Sequence, residues 1–138
     1  MKSIFIYRTS KATSLRMSQI RPIDTKPERI VRSLLHKAGF RFKKNVKNLP
    51  GCPDIVLAGH QLVVFVHGCF WHRHNGCNRT TTPRVNRALW NEKFRSTVAR
   101  DRRNSLALRR KGWKVLIIWE CQIRAPSTVL RKLSRYLR

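Results

Sequence analysis

The sequence predicts an α/β fold, a mixed β-sheet with helices on both faces, and three observations carry that reading. Three apolar runs are bounded by turn residues and too short for core helices, so each reads as a buried strand: Asp54-Ile55-Val56-Leu57-Ala58, Leu62-Val63-Val64-Phe65-Val66 and Trp113-Lys114-Val115-Leu116-Ile117-Ile118-Trp119. Segments with a helical apolar period precede, separate and follow these runs. A chain of 138 residues with 41% hydrophobic content suffices for one packed core, so one domain over residues 1–138 is expected.

Taken in order, residues 1–23 are basic and without a clear period, and read as a mobile N-terminal arm that DNA could order. A helix starts at Asp24-Thr25-Lys26-Pro27-Glu28, with Thr25 as N-cap, Pro27 in the first turn and Glu28 completing a capping box. Ile30, Val31, Leu34, Leu35 and Ala38 form its apolar face, and Gly39 ends it. Phe40-Arg41-Phe42-Lys43 alternates like a strand, and Asn48-Leu49-Pro50-Gly51 is a turn. Gly59-His60 turns the first buried strand into the second. Residues 68–88 read as irregular, and a long helix is expected over about 86–111. Phe94, Val98 and Leu108 form the stripe of that helix, with Asp101 and Ser105 on the same face; Gly112 stops it. A closing helix runs from Pro126 to Leu137, with Val129, Leu130, Leu133 and Leu137 aligned.

Charge indicates the partner. Lys and Arg number 31 against six Asp and Glu, a net charge of +25, which points to a polyanion and first of all to nucleic acid. The 9% aromatic content and the apolar strands separate the chain from a disordered basic tail. No apolar run is long enough to cross a membrane and the N-terminus lacks a secretory pattern, so a cytoplasmic protein without membrane contact is expected. Carboxylates repel phosphate, so a DNA binder with so few acids should keep one near its ligand only for a task, such as holding hydrated Mg²⁺.

Four groupings of residues carry chemistry. Asp54 follows Pro53 at the start of a buried hairpin, where it is either a turn acid or a hard-metal ligand, with a backbone carbonyl near Val66-His67-Gly68 available as a second. Cys69, His74, Cys77 and Cys121 offer the N and S donors that Zn²⁺ prefers, and would staple a loop too polar to build its own core. His72 is a neighbouring histidine, whereas Cys52 stands apart as a free thiol. Phe70 and Trp71 lie between metal ligands, and Trp90 opens the long helix; such aromatics either pack locally or enter a DNA duplex. Asp101, on an apolar stripe, needs a partner, either His72, which it would make a stronger base, or Arg102 or Arg103.

Several segments, quoted as they stand, resemble the hallmarks of the very-short-patch (Vsr) DNA mismatch repair endonuclease family. They are Met17-Ser18-Gln19-Ile20, Thr25 to Glu28, Leu49-Pro50-Gly51-Cys52-Pro53-Asp54, Val66-His67-Gly68-Cys69-Phe70-Trp71-His72, Ala99-Arg100-Asp101-Arg102-Arg103 and Gly112-Trp113-Lys114-Val115-Leu116-Ile117-Ile118-Trp119-Glu120-Cys121. The resemblance runs in order from about Ser10 to Arg138. It implies a restriction-endonuclease-like mixed sheet with a structural zinc site, and nicking of one strand 5′ of the thymine in a T:G mismatch left by deaminated 5-methylcytosine. It implies Asp54 as the central Mg²⁺ ligand with the Val66 carbonyl, His72 as general base supported by Asp101, Glu28 at the water shell of the metal, and His67 near the scissile phosphate. Cys69, His74, Cys77 and Cys121 would hold zinc, and Phe70, Trp71, Trp90 and Met17 would contact DNA. A monomer at the prokaryotic nucleoid is implied, with mismatch repair proteins as candidate partners.

The chain departs from the family pattern in places. The Cys69–Cys77 loop carries one extra residue, Gly76 or a neighbour, which leaves open which histidine completes the zinc site. Val66 stands where the family has threonine, the acid-x-Lys element of the wider nuclease superfamily is missing from the second strand, and the charge is high. Two rival readings share much of the pattern: a zinc-stapled DNA-binding module without catalysis, and a nicking nuclease of this fold without mismatch preference.

Overall fold

The computed structural model describes residues 25–137, so the arm expected over residues 1–23, Met17 included, lies outside the described residues. Helix α1 (Lys26–Lys37) starts where its cap predicts: Thr25 is extended and its Oγ1 accepts the Glu28 N–H at 3.4 Å. Glu28, Val31 and Leu35 recur on one face at helical spacing, and all three are buried. Gly39, at φ +87°, ends the helix in the left-handed region that a side chain resists.

The four-stranded sheet has the order β1-β2-β3-β4, formed by β1 (Lys43–Lys44), β2 (Ile55–Leu57), β3 (Leu62–His67) and β4 (Lys114–Trp119). β1, β2 and β3 are antiparallel neighbours, and β3 and β4 run parallel. The first strand lies later and is shorter than the alternation of Phe40 to Lys43 predicts. The Phe40 N–H is bonded to the Leu35 carbonyl, which holds the chain to the helix end, and Phe40 and Phe42 pack against the core before pairing begins. The two-residue lysine strand at this edge also discourages pairing with another chain.

Between β3 and β4 the chain crosses through α2 (Cys69–His72) and α3 (Arg87–Arg110). The short α2 corrects the expectation of an irregular 68–88, whereas α3 ends within one residue of the predicted bounds. The last helix, α4 (Pro126–Ser134), is shorter than expected, and Leu130 is 41% exposed instead of facing the core.

Strand alternation sorts the apolar side chains into two layers. Leu62 and Val64 join Ile55, Leu57, Leu116 and Ile118 under α1 and α4, while Val63 joins Val56, Val115 and Phe65 under Leu108 of α3. This is the predicted mixed sheet flanked by helices. No helix among the described residues is long and apolar enough to cross a membrane.

Candidate active site and metal centre

β2 and β3 turn on a tight hairpin, so the residue before β2 comes back beside the far end of β3. Asp54 thereby meets Val66, whose N–H donates to Asp54 Oδ2 at 2.7 Å. The buried Glu28 of α1 approaches the same carboxylate and is 3.6 Å from Arg32. Burial, with the Glu28 carboxyl beside it, pushes the Asp54 pKa up to about 7, against the pull of the Val66 N–H and of Arg32. Two acids held this close out of water are what a hard divalent cation relieves, so the donors suit Mg²⁺, with the Val66 carbonyl at the same strand end.

Gly51 shapes the approach to Asp54. Its φ is +78°, a conformation that favours glycine, and a Cβ there would press on the Asn104 side chain of α3 at 3.0 Å.

His72 closes α2, and Asp101 lies on the inner face of α3. The helices bring His72 Nδ1 to 2.6 Å from Asp101 Oδ2. The partner of Asp101 is thus the histidine, not Arg102 or Arg103, which are exposed. A neutral His72 that donates Nδ1–H to Asp101 keeps its lone pair on Nε2, the form a general base needs. The His67 ring stacks on His72 with centroids 3.8 Å apart and an 8° tilt. Burial, then the neighbouring His72, push its pKa down to about 3, so His67 is neutral at ordinary pH. Its Nδ1 is buried without a hydrogen-bond partner.

Glu28, Asp54, Val66, His67, His72 and Asp101 all line one cleft of about 1240 Å³, together with Phe70, Trp71 and Glu120. Lys26, Arg29, Arg79 and Arg100 line it as well. Trp90 does not: it is fully buried, in contact with Phe70, Trp71 and Phe94. Trp90, expected among the aromatics that contact DNA, is thus placed in ring contact with the two aromatics that do line the cleft.

Sequence reasoning singled out neither Glu120 nor Arg79. Glu120 Oε1 accepts the Cys69 N–H at 3.4 Å and lies 3.8 Å from Arg79 Nη1. The available signal was position, since Glu120, one of only six acids, precedes Cys121 and Arg79 follows two residues after Cys77.

A second site is formed by residues that do not line the cleft. Cys69, His74, Cys77 and Cys121 present one ligand atom each, all within 4.8 Å of one another. His74 Nδ1 is 3.7 Å from Cys69 Sγ and 3.4 Å from Cys121 Sγ. A tetrahedral Zn²⁺ with ordinary Zn–S and Zn–N bonds spaces such donors about 3.6 Å apart. The structure therefore brings His74, not His72, to the three thiols. Burial pushes the Cys69 thiol up to about 12, while the Arg79 backbone N–H pulls Cys77 down. Three thiols this close cannot all ionise without a cation among them, so the donor set fits a thiolate-binding metal. His74 stacks on Trp119 at 4.3 Å, and Thr80 Oγ1 donates to the His74 carbonyl at 2.7 Å, fixing the ligand loop. Cys52 is a free, half-buried thiol apart from this cluster.

The family model described as DNA mismatch endonuclease Vsr matches residues 6–79. The chain is 41% identical to type II nicking enzyme V.NmeAIP of Neisseria meningitidis over 133 residues, covering 96% of this chain and 94% of that protein. It is 47% identical to type II nicking enzyme V.XorIIP of Xanthomonas oryzae over 107 residues, 78% of each chain. It is 43% identical to DNA mismatch endonuclease Vsr of Escherichia coli over 115 residues, 83% of this chain and 73% of that one. With the family motifs placed around one acid-lined cleft and one Cys/His cluster, this chain belongs to the Vsr DNA mismatch endonuclease family.

Proposed function

We propose that this DNA endonuclease nicks one strand of duplex DNA 5′ of the thymine in a T:G mismatch, using Mg²⁺ in the cleft and Zn²⁺ in the Cys/His cluster. One observation carries the reading. The chain holds six acids against a net charge of +25, and four of the five among the described residues, Glu28, Asp54, Asp101 and Glu120, line one cleft. A surface built only to bind phosphate would keep carboxylates away from it. The names of the relatives support nicking, and the name of the Escherichia coli relative supports a mismatch as the target.

Mg²⁺, when bound, supplies charge stabilisation for the phosphate and the leaving oxygen. Asp54 and the Val66 carbonyl would hold it, and Glu28, beside Asp54, would orient water near it. His72 Nε2 takes the proton of the attacking water while Asp101 steadies the imidazolium that forms. The new bond joins the water oxygen to phosphorus, and the bond from phosphorus to the leaving oxygen breaks. His67, kept neutral, lies against the His72 ring and holds its plane. Phe70 and Trp71 enter the duplex where stacking is already weak, so a mismatch admits them at lower cost than a matched pair. On this reading the protein works as a monomer on chromosomal DNA in the cytoplasm.

The test is a single-turnover nicking assay on duplexes differing only at one pair, T:G or T:A, with Mg²⁺ and with EDTA. Nicking of T:G alone, lost in EDTA, is the expected result. Equal nicking of both duplexes removes the mismatch assignment, and no nicking of either removes the catalytic one.

A further inference from the structure

We propose that Arg73 is a positioning residue that fixes the pose of the Phe70–Trp71 pair, and through it the preference for a weakened base pair; this deepens the mismatch reading above and rests on it. The pair sits on α2, which is four residues long and holds too few backbone hydrogen bonds to be rigid alone. The candidate metal ligands secure the chain at Cys69 and again at His74, leaving the residues between to be held otherwise.

Arg73 meets that need. Its φ of +56° caps α2 in the left-handed region, which turns the side chain back under the helix. Nη1 donates to the Phe70 carbonyl at 3.1 Å and to the Thr81 carbonyl at 2.8 Å. Nη2 donates to Thr82 Oγ1 at 2.9 Å. The guanidinium carbon also lies 3.8 Å from the centroid of the Phe94 ring of α3. One side chain thus joins the aromatic pair, the loop at Thr81–Thr82 and the long helix.

The fork of the guanidinium makes these bonds while its plane lies on a ring, a combination the single ammonium of lysine does not provide. Arg73 is half-buried and directs its guanidinium donors at two carbonyls and a hydroxyl of the protein itself. A wedge discriminates only if it does not yield. If the aromatic pair can swing aside, a stacked matched pair is no longer penalised and discrimination falls even where chemistry is unchanged.

The experiment compares T:G with T:A single-turnover nicking for wild type, Arg73→Met, Arg73→Lys, Thr82→Val and Trp71→Ala, with metal content and Tm measured for each. Arg73→Met is expected to lower the T:G to T:A ratio on the order of tenfold, with the metal retained. Arg73→Lys and Thr82→Val should fall between it and wild type. Thr82→Val removes one bond from the outer end of the bridge, so it answers the question if Arg73→Met does not fold. An unchanged ratio in a folded Arg73→Met, or in Thr82→Val where Arg73→Met does not fold, overturns the proposal, as does an equal fall in both rates. If Trp71→Ala loses the ratio while the Arg73 variants keep it, only this inference fails. If Trp71→Ala keeps the ratio, or wild type shows none, the wedge reading fails and takes this inference with it.

Discussion

At the scale of single residues, Asp54 makes the sharpest prediction. A carboxyl whose pKa rises from its ordinary 3.8 to about 7 on folding is held best in its protonated form. Its contribution to stability is present below about 3.8 and is lost as pH climbs through 7, because the unfolded chain releases the proton first. In EDTA at pH 8, Asp54→Asn should therefore be more stable than wild type by about 1–2 kcal/mol, several degrees in Tm. Mg²⁺ should raise the Tm of wild type more at pH 8 than at pH 5.5, leave the variant unmoved, and restore no nicking to it. His72→Ala is the contrast: it keeps the Mg²⁺-linked rise and loses about a hundredfold in rate with the proton acceptor. A variant at Asp54 that nicks T:G at the wild-type rate would show that the metal is held elsewhere. The Asp101–His72 pair was legible in the sequence because an acid on an apolar stripe must find a partner, and helical spacing aimed it inward. The burial of Trp90 was not, because packing of residues from α2 and α3 leaves no local periodic mark.

At the scale of elements, each local signal held where its cause was local. The Thr25 cap and Gly39 bracket α1, and Gly112 follows α3 as expected. What failed was set by tertiary contact: the delayed start of β1 beyond Phe42, the helical turn at Cys69–His72 and the exposed Leu130 of α4. The loop after α2 illustrates the dependence most clearly. From Arg73 to Asn86 it has no regular element, and its ligands reach across to Cys121 beyond β4. Such a segment buries little apolar surface of its own, so a metal bound at the cluster would supply part of the folding free energy. Cys121→Ala should lower Tm and release the metal, with nicking lost as α2 loosens. Cys52→Ala should leave metal content and Tm close to wild type. Elemental analysis of the folded wild-type protein is expected to find zinc at one per chain; folded protein free of any thiolate-binding metal would remove the staple.

At the scale of the whole molecule, the distribution of charge matters more than its total. Positive charge surrounds the cleft through Lys26, Arg29, Arg79 and Arg100, while four carboxylates lie within it. The cations gather phosphate, and each neutralised phosphate releases condensed counterions, so binding should weaken steeply with salt. Engagement of about six phosphates predicts a slope near −5 in a plot of log affinity against log salt, measured without Mg²⁺. Removing one rim cation, as in Arg100→Ala, should make that slope shallower by about one on T:G and T:A duplexes alike, since phosphate contacts carry no base information. Asp54→Asn should leave the slope unchanged and tighten binding in the absence of Mg²⁺, because it removes a repulsion without adding a phosphate contact. The tightening should be larger at pH 8 than at pH 5.5, since the wild-type carboxyl is charged only above about 7. Fluorescence anisotropy with the two duplexes across a salt series measures all of these quantities. A slope near zero, or a loss of affinity in Asp54→Asn without Mg²⁺, would place the DNA on another face of the molecule.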